Sequence, residues 1–294
     1  METDKSSNFK DIGNGFLETS KYQMAIEYFS KAIDAIPEDA EAYDLRAIVW
    51  FRLLEIENAI NDLETALQVD PEYHIAFSHL GEIAIAKNNY EQAELYYSKA
   101  LEIFPDNLVY LSNLALVKLN LKKDLECLEV CNNILKDYPS DKWALDCRGS
   151  VYLNQKKYSE SIQDYIKLSH EDRDNAVVYN NIGYAYSKLG VIDKAKNNLN
   201  LCIRLKPDFA YAHDNLGYVY YLENNFQKAL ELINTSINLD PSNSYAFKNR
   251  ALVYLKQNKL LQAADDLKLA TELGFTKDYG DEVEKLLESL NTIK

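Results

Sequence analysis

The spacing of the prolines most constrains how this chain can fold. All six prolines lie 34 or 68 residues from the next one, so they share one register, and Arg173 stands where a proline is missing. The six are Pro37, Pro71, Pro105, Pro139, Pro207 and Pro241. A fixed period of this length is typical of repeat proteins, in which each repeat buries its apolar face against its neighbours. The sequence therefore predicts a stack of repeated units.

Aligned on the prolines, the sequence divides into eight units of 34 residues. The units are 6–39, 40–73, 74–107, 108–141, 142–175, 176–209, 210–243 and 244–277. Position 8 of every unit is Gly or Ala, and position 20 is Ala, Cys or Ser. Small side chains at two fixed positions let paired helices approach closely, because a larger one would overpack the contact.

Each unit reads as two helices. In 210–243 the first helix begins at Ala210, with apolar residues three and four apart, and the second runs from Phe226 to Leu239. Turn residues that tolerate a left-handed conformation separate the two helices in four units: Asn88, Gly190, Asn224 and Asn258. Residues suited to cap the next first helix follow the prolines or the Arg173 slot: Asp39, Asn107, Asp141, Asn175 and Asn243.

One more amphipathic helix is expected after the last unit, over residues 280–292. Its apolar stripe contains Val283, Leu286, Leu287 and Leu290. A terminal repeat leaves an apolar face exposed to water, so we interpret this helix as a cap. The alternative is an amphipathic tail that binds a partner.

These positions resemble the tetratricopeptide-repeat family over residues 6–277. The resemblance implies an all-α fold, a right-handed α–α superhelix (a tetratricopeptide-repeat solenoid), which we take as one domain over 1–294. It also implies a concave groove lined mainly by the first helix of each pair. Positions 2, 5, 6, 9, 12 and 13 of each unit would face that groove, and helical spacing places them on one stripe.

Asparagine recurs at groove position 6, as Asn113, Asn181, Asn215 and Asn249. A row of amides can donate to and accept from the backbone of an extended peptide. The row is similar to the asparagine ladder of O-linked N-acetylglucosamine transferases, although the amides could instead be merely solvated. Tyrosines surround it, either as binding anchors or as packing between neighbouring first helices. The predicted peptide-binding residues are Asn113, Asn180, Asn181, Tyr184, Tyr211, Asn215, Tyr218, Tyr245, Lys248 and Asn249.

The N-terminal half of the expected groove is apolar instead. Its residues are Leu45, Ile48, Phe51, Ile75, Ile85, Val109, Leu116 and Leu119. If they are exposed together, they form a trough suited to an amphipathic helix. The alternative is that tighter packing of the repeats buries them.

One subtype of the family grips the acidic C-terminus of heat-shock chaperones with a clamp of Lys, Asn and Arg. Lys10 and Asn14 match its first two positions. The remaining three positions hold Leu45, Ile75 and His79. With three of the five residues absent, we reject this clamp.

The charge balance limits the classes of partner. Asp and Glu number 46 against 32 Lys and Arg, for a formal net charge of −14. A nucleic acid would be repelled, and partners of basic character are favoured. The sequence contains no apolar run long enough to span a bilayer, so no membrane insertion is expected. The four cysteines form no disulfide framework, and we expect free thiols and a cytoplasmic location.

No catalytic or metal-binding pattern stands out, so we predict no enzyme activity, metal or cofactor. His74 and His79 are five residues apart, on different helix faces. Cys127 and Cys131 occupy core positions, whereas Cys147 falls at groove position 6 and is expected to be exposed. The sequence thus predicts a non-catalytic protein–protein interaction scaffold or adaptor that binds a peptide or helix in its groove. The alternatives are a peptide-sensing regulatory protein and a non-catalytic subunit of an enzyme complex.

Overall fold

A computed structural model describes residues 2–275 and 282–291 of the chain, and these residues form α-helices joined by short turns. The first helices of the units are α1 (Glu2–Glu18), α3 (Ala40–Arg52), α5 (His74–Ala86), α7 (Leu108–Asn120), α9 (Lys142–Asn154), α11 (Ala176–Lys188), α13 (Ala210–Leu222) and α15 (Ser244–Lys256). The second helices are α2 (Tyr22–Ala35), α4 (Ile56–Val69), α6 (Tyr90–Ile103), α8 (Asp124–Asp137), α10 (Tyr158–Glu171), α12 (Ile192–Leu205), α14 (Phe226–Leu239) and α16 (Leu260–Glu272). The last helix is α17 (Glu282–Asn291). The predicted all-α repeat fold is confirmed.

The helix boundaries follow the 34-residue register. Helices α13 and α14 begin at the two residues predicted for them, Ala210 and Phe226. Helix α10 ends at Glu171 although Arg173 replaces the proline, so proline is not required to stop the second helix. Helix α1 begins at Glu2, four residues before the first predicted unit.

The turn inside each unit contains one residue in the left-handed conformation. These residues have φ between 55° and 72° and are Ser20, Leu54, Asn88, Lys122, Lys156, Gly190, Asn224 and Asn258. They recur every 34 residues, and the predicted four are among them. The amide after each one reaches back into the first helix, as Glu55 N does to Trp50 O at 2.9 Å. This hydrogen bond satisfies a carbonyl at the helix end, which is the function of a Schellman-type cap.

The predicted N-terminal caps are confirmed. The side-chain oxygen of Asp141 accepts from Ala144 N at 2.8 Å, and that of Asn107 accepts from Tyr110 N at 3.1 Å. Asp39, Asn175 and Asn243 accept amide hydrogens in the same way. These bonds fix where the first helices start, because the first amides of a helix have no partner within it.

In the five units that have Gly at position 8, this position packs on position 24 of the facing helix. A Cβ added at Gly217 would lie 2.6 Å from Cγ1 of Ile233, and one at Gly81 would lie 2.7 Å from the Tyr97 ring. Small residues at position 8 therefore set how closely the two helices of a hairpin approach.

In three units, an arginine at position 7 of the first helix forms an ion pair with an aspartate of the second helix. These pairs were not predicted from the sequence. Arg46 binds Asp62, Arg148 binds Asp164, and Arg250 binds Asp266, each through Nε at 2.8 Å and a second nitrogen. Arg46 also donates to Ser30 on the preceding second helix, at 2.9 Å. Bidentate ion pairs of this kind fix the relative orientation of the two side chains and also bring opposite charges together.

The helices group into two compact units, residues 1–147 and 148–294, whose boundary lies inside α9. A single domain over the whole chain stays a prediction. In the second unit, Val283 of α17 is fully buried against a cluster that contains Leu267 and Phe275. This contact agrees with the cap interpretation of α17; residues 280, 281 and 292 of the predicted helix lie outside the described residues.

The predicted exposure of Cys147 is wrong. Its side chain is buried in the first unit beside Cys127 and Cys131 of α8. The three thiols lie within hydrogen-bonding reach of one another, so the Cys147 thiol faces the interior at this point and not solvent. All four cysteines are free thiols and all are buried.

Candidate peptide-binding surface

Nine of the ten predicted site residues lie on three adjacent first helices of the second unit. These are Asn180, Asn181 and Tyr184 on α11, Tyr211, Asn215 and Tyr218 on α13, and Tyr245, Lys248 and Asn249 on α15. Helix α13 contacts both α11 and α15. We call these nine residues the tyrosine–amide surface. The tenth, Asn113, lies half-buried on α7 of the first unit.

Two of the position 6 amides, Asn215 and Asn249, are bonded to position 5 of the preceding repeat. Asn215 Nδ2 donates to Asn180 Oδ1 at 2.9 Å, and Asn249 Nδ2 donates to both carboxylate oxygens of Asp214 at 3.0 Å. Asn180 in turn donates to Asn181 Oδ1 at 3.2 Å. The row is thus a hydrogen-bonded network between neighbouring helices, and part of its donor capacity is used within the chain.

These bonds remove some of the predicted residues from solvent. Asn180, Lys248 and Asn249 are only 7%, 5% and 7% exposed. The expectation of an open row therefore fails at these three positions, because each is covered where the first helices meet. Asn181 and Asn215 stay half-buried and accessible.

The tyrosines contact other aromatic rings on the same surface. Tyr211 and Tyr245, on adjacent first helices, meet edge to face with ring centroids 6.5 Å apart. Tyr218 stacks with Tyr221 at 5.9 Å. Tyr211 nevertheless remains 40% exposed. From the sequence, packing between first helices and ligand binding were alternatives for the tyrosines. Tyr211 packs against a neighbouring ring and is also accessible to a ligand.

Asp214 lies at the centre of this surface, and its burial is a feature that residue type alone does not predict. The carboxyl is 1% exposed on α13. Burial raises its pKa to about 6, while the Asn249 hydrogen bond and the charges of Lys248 and Lys188 act in the opposite direction. The raised pKa of a carboxyl results from the groups that surround it in the fold. An Asp at position 5 of a repeat does not by itself indicate those surroundings.

Two lysines converge on one ring beside that carboxyl. Lys188 Nζ lies 4.3 Å from the centroid of Tyr218, and Lys248 Nζ lies 5.8 Å from it. Both are attracted to the negative face of the ring. Both lysines thus place positive charge beside Asp214, within a chain whose formal net charge is −14.

The apolar residues predicted for the N-terminal half lie in the first unit, apart from this surface. Leu45, Ile48, Phe51, Ile75, Ile85, Leu116 and Leu119 are half-buried, and Val109 is exposed. Phe51 and Ile85 pack against neighbouring core clusters. Of the two alternatives, partial burial between repeats describes most of these residues.

Within residues 2–275 and 282–291, no cluster of three or more His, Cys, Asp or Glu side chains is suited to a metal ion. In the same part of the chain, every helix is too short or too polar to cross a bilayer.

Comparison with known proteins agrees with the repeat architecture. Three family models, each described as a tetratricopeptide repeat, match residues 51–107, 176–209 and 210–243. The Hsp70-Hsp90 organizing protein of Triticum aestivum is 27% identical over 213 residues, which is 68% of this chain and 35% of that protein. The small glutamine-rich tetratricopeptide repeat-containing protein 2 of Saccharomyces cerevisiae is 34% identical over 103 residues, 35% of this chain and 30% of that protein. The chain thus spans about a third of the length of these relatives.

Solved structures show the same fold at lower identity. A tetratricopeptide repeat protein from Parabacteroides merdae superposes with a TM-score of 0.69 at 20% identity, covering 85% of this chain and 98% of that one. PilF of Pseudomonas aeruginosa superposes with a TM-score of 0.64 at 19% identity, covering 72% and 96%.

Proposed function

Since this chain belongs to the tetratricopeptide-repeat family, we propose that it is a non-catalytic, cytoplasmic interaction scaffold that holds a partner peptide on the tyrosine–amide surface. The observation that carries the proposal is the continuous row of amides and tyrosines across α11, α13 and α15. An extended peptide crossing the three helices would meet the accessible amides of Asn181 and Asn215 and one ring on each helix, namely Tyr184, Tyr211 and Tyr245. Aromatic anchors bury much area with few rotatable bonds.

The polar groups on this surface suit the peptide backbone. Among the described residues, no hydrogen bond reaches the Oδ1 atom of the half-buried Asn215. An oxygen of this kind can accept from a peptide N–H. Each such bond is worth about 0.5–1.5 kcal/mol net, so affinity requires several of them together with the rings.

The charges restrict the partner further. Lys188 and Lys248 lie over Tyr218 and would repel a basic segment. The proposal therefore concerns a segment without a basic side chain at Tyr218, and the expectation of a basic partner for the chain as a whole stays a prediction.

The name of one relative refers to the organisation of Hsp70 and Hsp90, but we do not extend chaperone-tail binding to this chain. Lys10, one of two clamp matches, is engaged by Asp39 at 2.8 Å and by Glu41 at 2.5 Å. The third clamp position is Leu45, which has no polar group to offer. The structure thus gives additional grounds for rejecting the clamp.

Photo-crosslinking tests the proposal directly. A photoreactive phenylalanine analogue placed at Tyr211, which is 40% exposed, is expected to join the full-length chain to its partner in a cytosolic extract. The same analogue at Leu261, 75% exposed on the second helix α16, serves as the control. Equal yields from the two positions would contradict binding at the tyrosine–amide surface.

A second measurement quantifies the amide row on the partner so identified. The double variant Asn181→Ala, Asn215→Ala is expected to weaken binding about tenfold, because two backbone-binding amides are lost. Asn198→Ala is the matched control, since Asn198 lies on the second helix α12 and bonds Lys194 O of its own helix. Asn249 is left unchanged, because replacing it would leave the buried Asp214 carboxylate without its hydrogen-bond donor.

A further inference from the structure

The first unit contains a cavity that the proposed function does not use. It has a volume of about 390 Å³ and lies between α3 and α5, over Leu63 of α4. Its apolar lining consists of Ala47, Ile48, Phe51, Leu63 and Ile83. Clefts of roughly 300–1,000 Å³ with mainly apolar walls and a few placed polar groups are typical of small-ligand sites.

His79 is the polar group that is held most firmly in this lining. Its Nδ1 atom is bonded to Asp44 Oδ1 at 2.6 Å, and Asp44 is only 3% exposed. Burial lowers the pKa of His79, but the hydrogen bond and charge of Asp44, with a contribution from Glu82, outweigh burial and raise the pKa above its usual value. The hydrogen bond to Asp44 thus fixes the orientation of the ring. In the protonated ring, Nδ1 donates to Asp44 and Nε2 is the nitrogen left to donate to a bound group.

The other two polar groups lie at solvent-exposed positions of the lining. Arg52 of α3 and Glu82 of α5 both line the cavity. Imidazolium and guanidinium groups are donors without acceptor capacity, so a ligand must supply the acceptor. A carboxylate does so with a charge-assisted bond, which is about twice as strong as a neutral one. Glu82 disfavours a second negative charge on the ligand.

We propose that this cavity binds a small amphipathic monocarboxylate, whose apolar chain fills the space between α3 and α5 and whose carboxylate accepts from His79 and Arg52. The site is independent of the tyrosine–amide surface and lies in the other compact unit. Failure of one proposal therefore leaves the other standing.

Three probes of equal chain length test the site on the full chain: octanoate, 1-octanol and octylammonium. Octanoate is expected to shift the NMR methyl resonances of Ile48 and Ile83 with saturation at one equivalent. 1-Octanol should bind about tenfold more weakly or worse, and octylammonium should not saturate. Equal binding of all three would overturn carboxylate recognition. No shift with octanoate below its micelle concentration would overturn the site.

Two variants separate recognition of the carboxylate from the apolar space. His79→Gln keeps a polar group beside Asp44 but removes the charge, and it is expected to weaken octanoate about tenfold while leaving 1-octanol unchanged. Ile48→Phe should block both probes by filling the cavity. His74→Gln is the matched control, since His74 lies on the same helix but bonds Tyr110 outside the lining. A peptide that shifts the same methyl groups where octanoate does not would assign the cavity to protein recognition and overturn the proposal.

Discussion

Asp214 is the residue whose ionisation the fold changes in the most testable way. Its pKa is raised to about 6 because the carboxyl is buried on α13. The folded chain therefore holds a proton that the unfolded chain releases near pH 4. The resulting stabilisation is complete below about pH 4 and is lost as the pH rises to about 6.

We expect the Asp214 carboxyl to titrate near pH 6 in carbon-detected NMR, well above exposed aspartates. Asp214→Asn should flatten the fall in stability between pH 4 and 6, an effect on the order of 2 kcal/mol in urea denaturation. The groups that face the carboxyl are Lys188 of α11 and Lys248 and Asn249 of α15. A midpoint below pH 4.5 would show that these partners outweigh burial.

Single residues also show where sequence reasoning stops. Asn88 and Gly190 were predicted at turns because their types favour positive φ, but Leu54 and Lys156 adopt the same conformation at the same repeat position. Repeat geometry imposes it there, at a cost of roughly 1–2 kcal/mol for a residue with a side chain. Asp214 behaves similarly, because its burial depends on neighbouring helices that residue type alone does not reveal.

At the scale of helices, the hairpin crossing is set by position 8. A Cβ at Gly217 would meet Ile233 Cγ1 at 2.6 Å and the Ala229 carbonyl oxygen at 3.1 Å. The helix backbone on the far side cannot move as a flexible side chain could. Gly217→Ala is therefore expected to destabilise by about 1–3 kcal/mol, despite the gain of up to about 1 kcal/mol in helix propensity.

Gly15→Ala is the control for that substitution. Gly15 also lies within a first helix, but nothing lies within 4 Å of an added Cβ. Only the propensity gain remains, so this variant should be stabilised by up to about 1 kcal/mol. Urea denaturation followed by circular dichroism measures both. If Gly217→Ala were as stable as Gly15→Ala, the close crossing would not limit side-chain size.

The helices and their ends were largely predictable, because several sequence features indicate each one. The start of α13, the limits of α14 and the caps at Asp141 and Asn107 all follow from periodicity and residue type. The Arg46–Asp62 pair was missed, since its partners are 16 residues apart on different helices. For the candidate site, the sequence placed the tyrosines and amides on one face. It did not reveal that the amides bond one another, because that depends on contacts between repeats.

Considered as a whole molecule, the chain carries its charge unevenly. Its formal net charge is −14, yet two lysines, Lys188 and Lys248, lie beside Asp214 at the centre of the tyrosine–amide surface. Net charge governs solubility and long-range encounter, whereas contact specificity depends on the local groups. An overall acidic composition is therefore a poor guide to the charge of the segment that binds here.

The two compact units can be followed separately, because both tryptophans, Trp50 and Trp143, lie in residues 1–147. Trp50 packs against two core clusters, so its fluorescence reports unfolding of the first unit, whereas circular dichroism reports all helices. In repeat proteins stability is approximately a sum of local and nearest-neighbour terms. A substitution in the second unit should therefore have little effect on Trp50.

We expect Gly81→Ala, on α5, to lower the urea midpoint measured by tryptophan fluorescence. Gly217→Ala, on α13, should lower the midpoint measured by circular dichroism and leave the fluorescence midpoint nearly unchanged. The two substitutions are matched, since a Cβ would lie 2.7 Å from Tyr97 in one and 2.6 Å from Ile233 in the other. Trp143 is largely exposed and adds little to the change in emission. If Gly217→Ala shifted both probes equally, the chain would unfold as one cooperative block, because nearest-neighbour terms would then extend through α9.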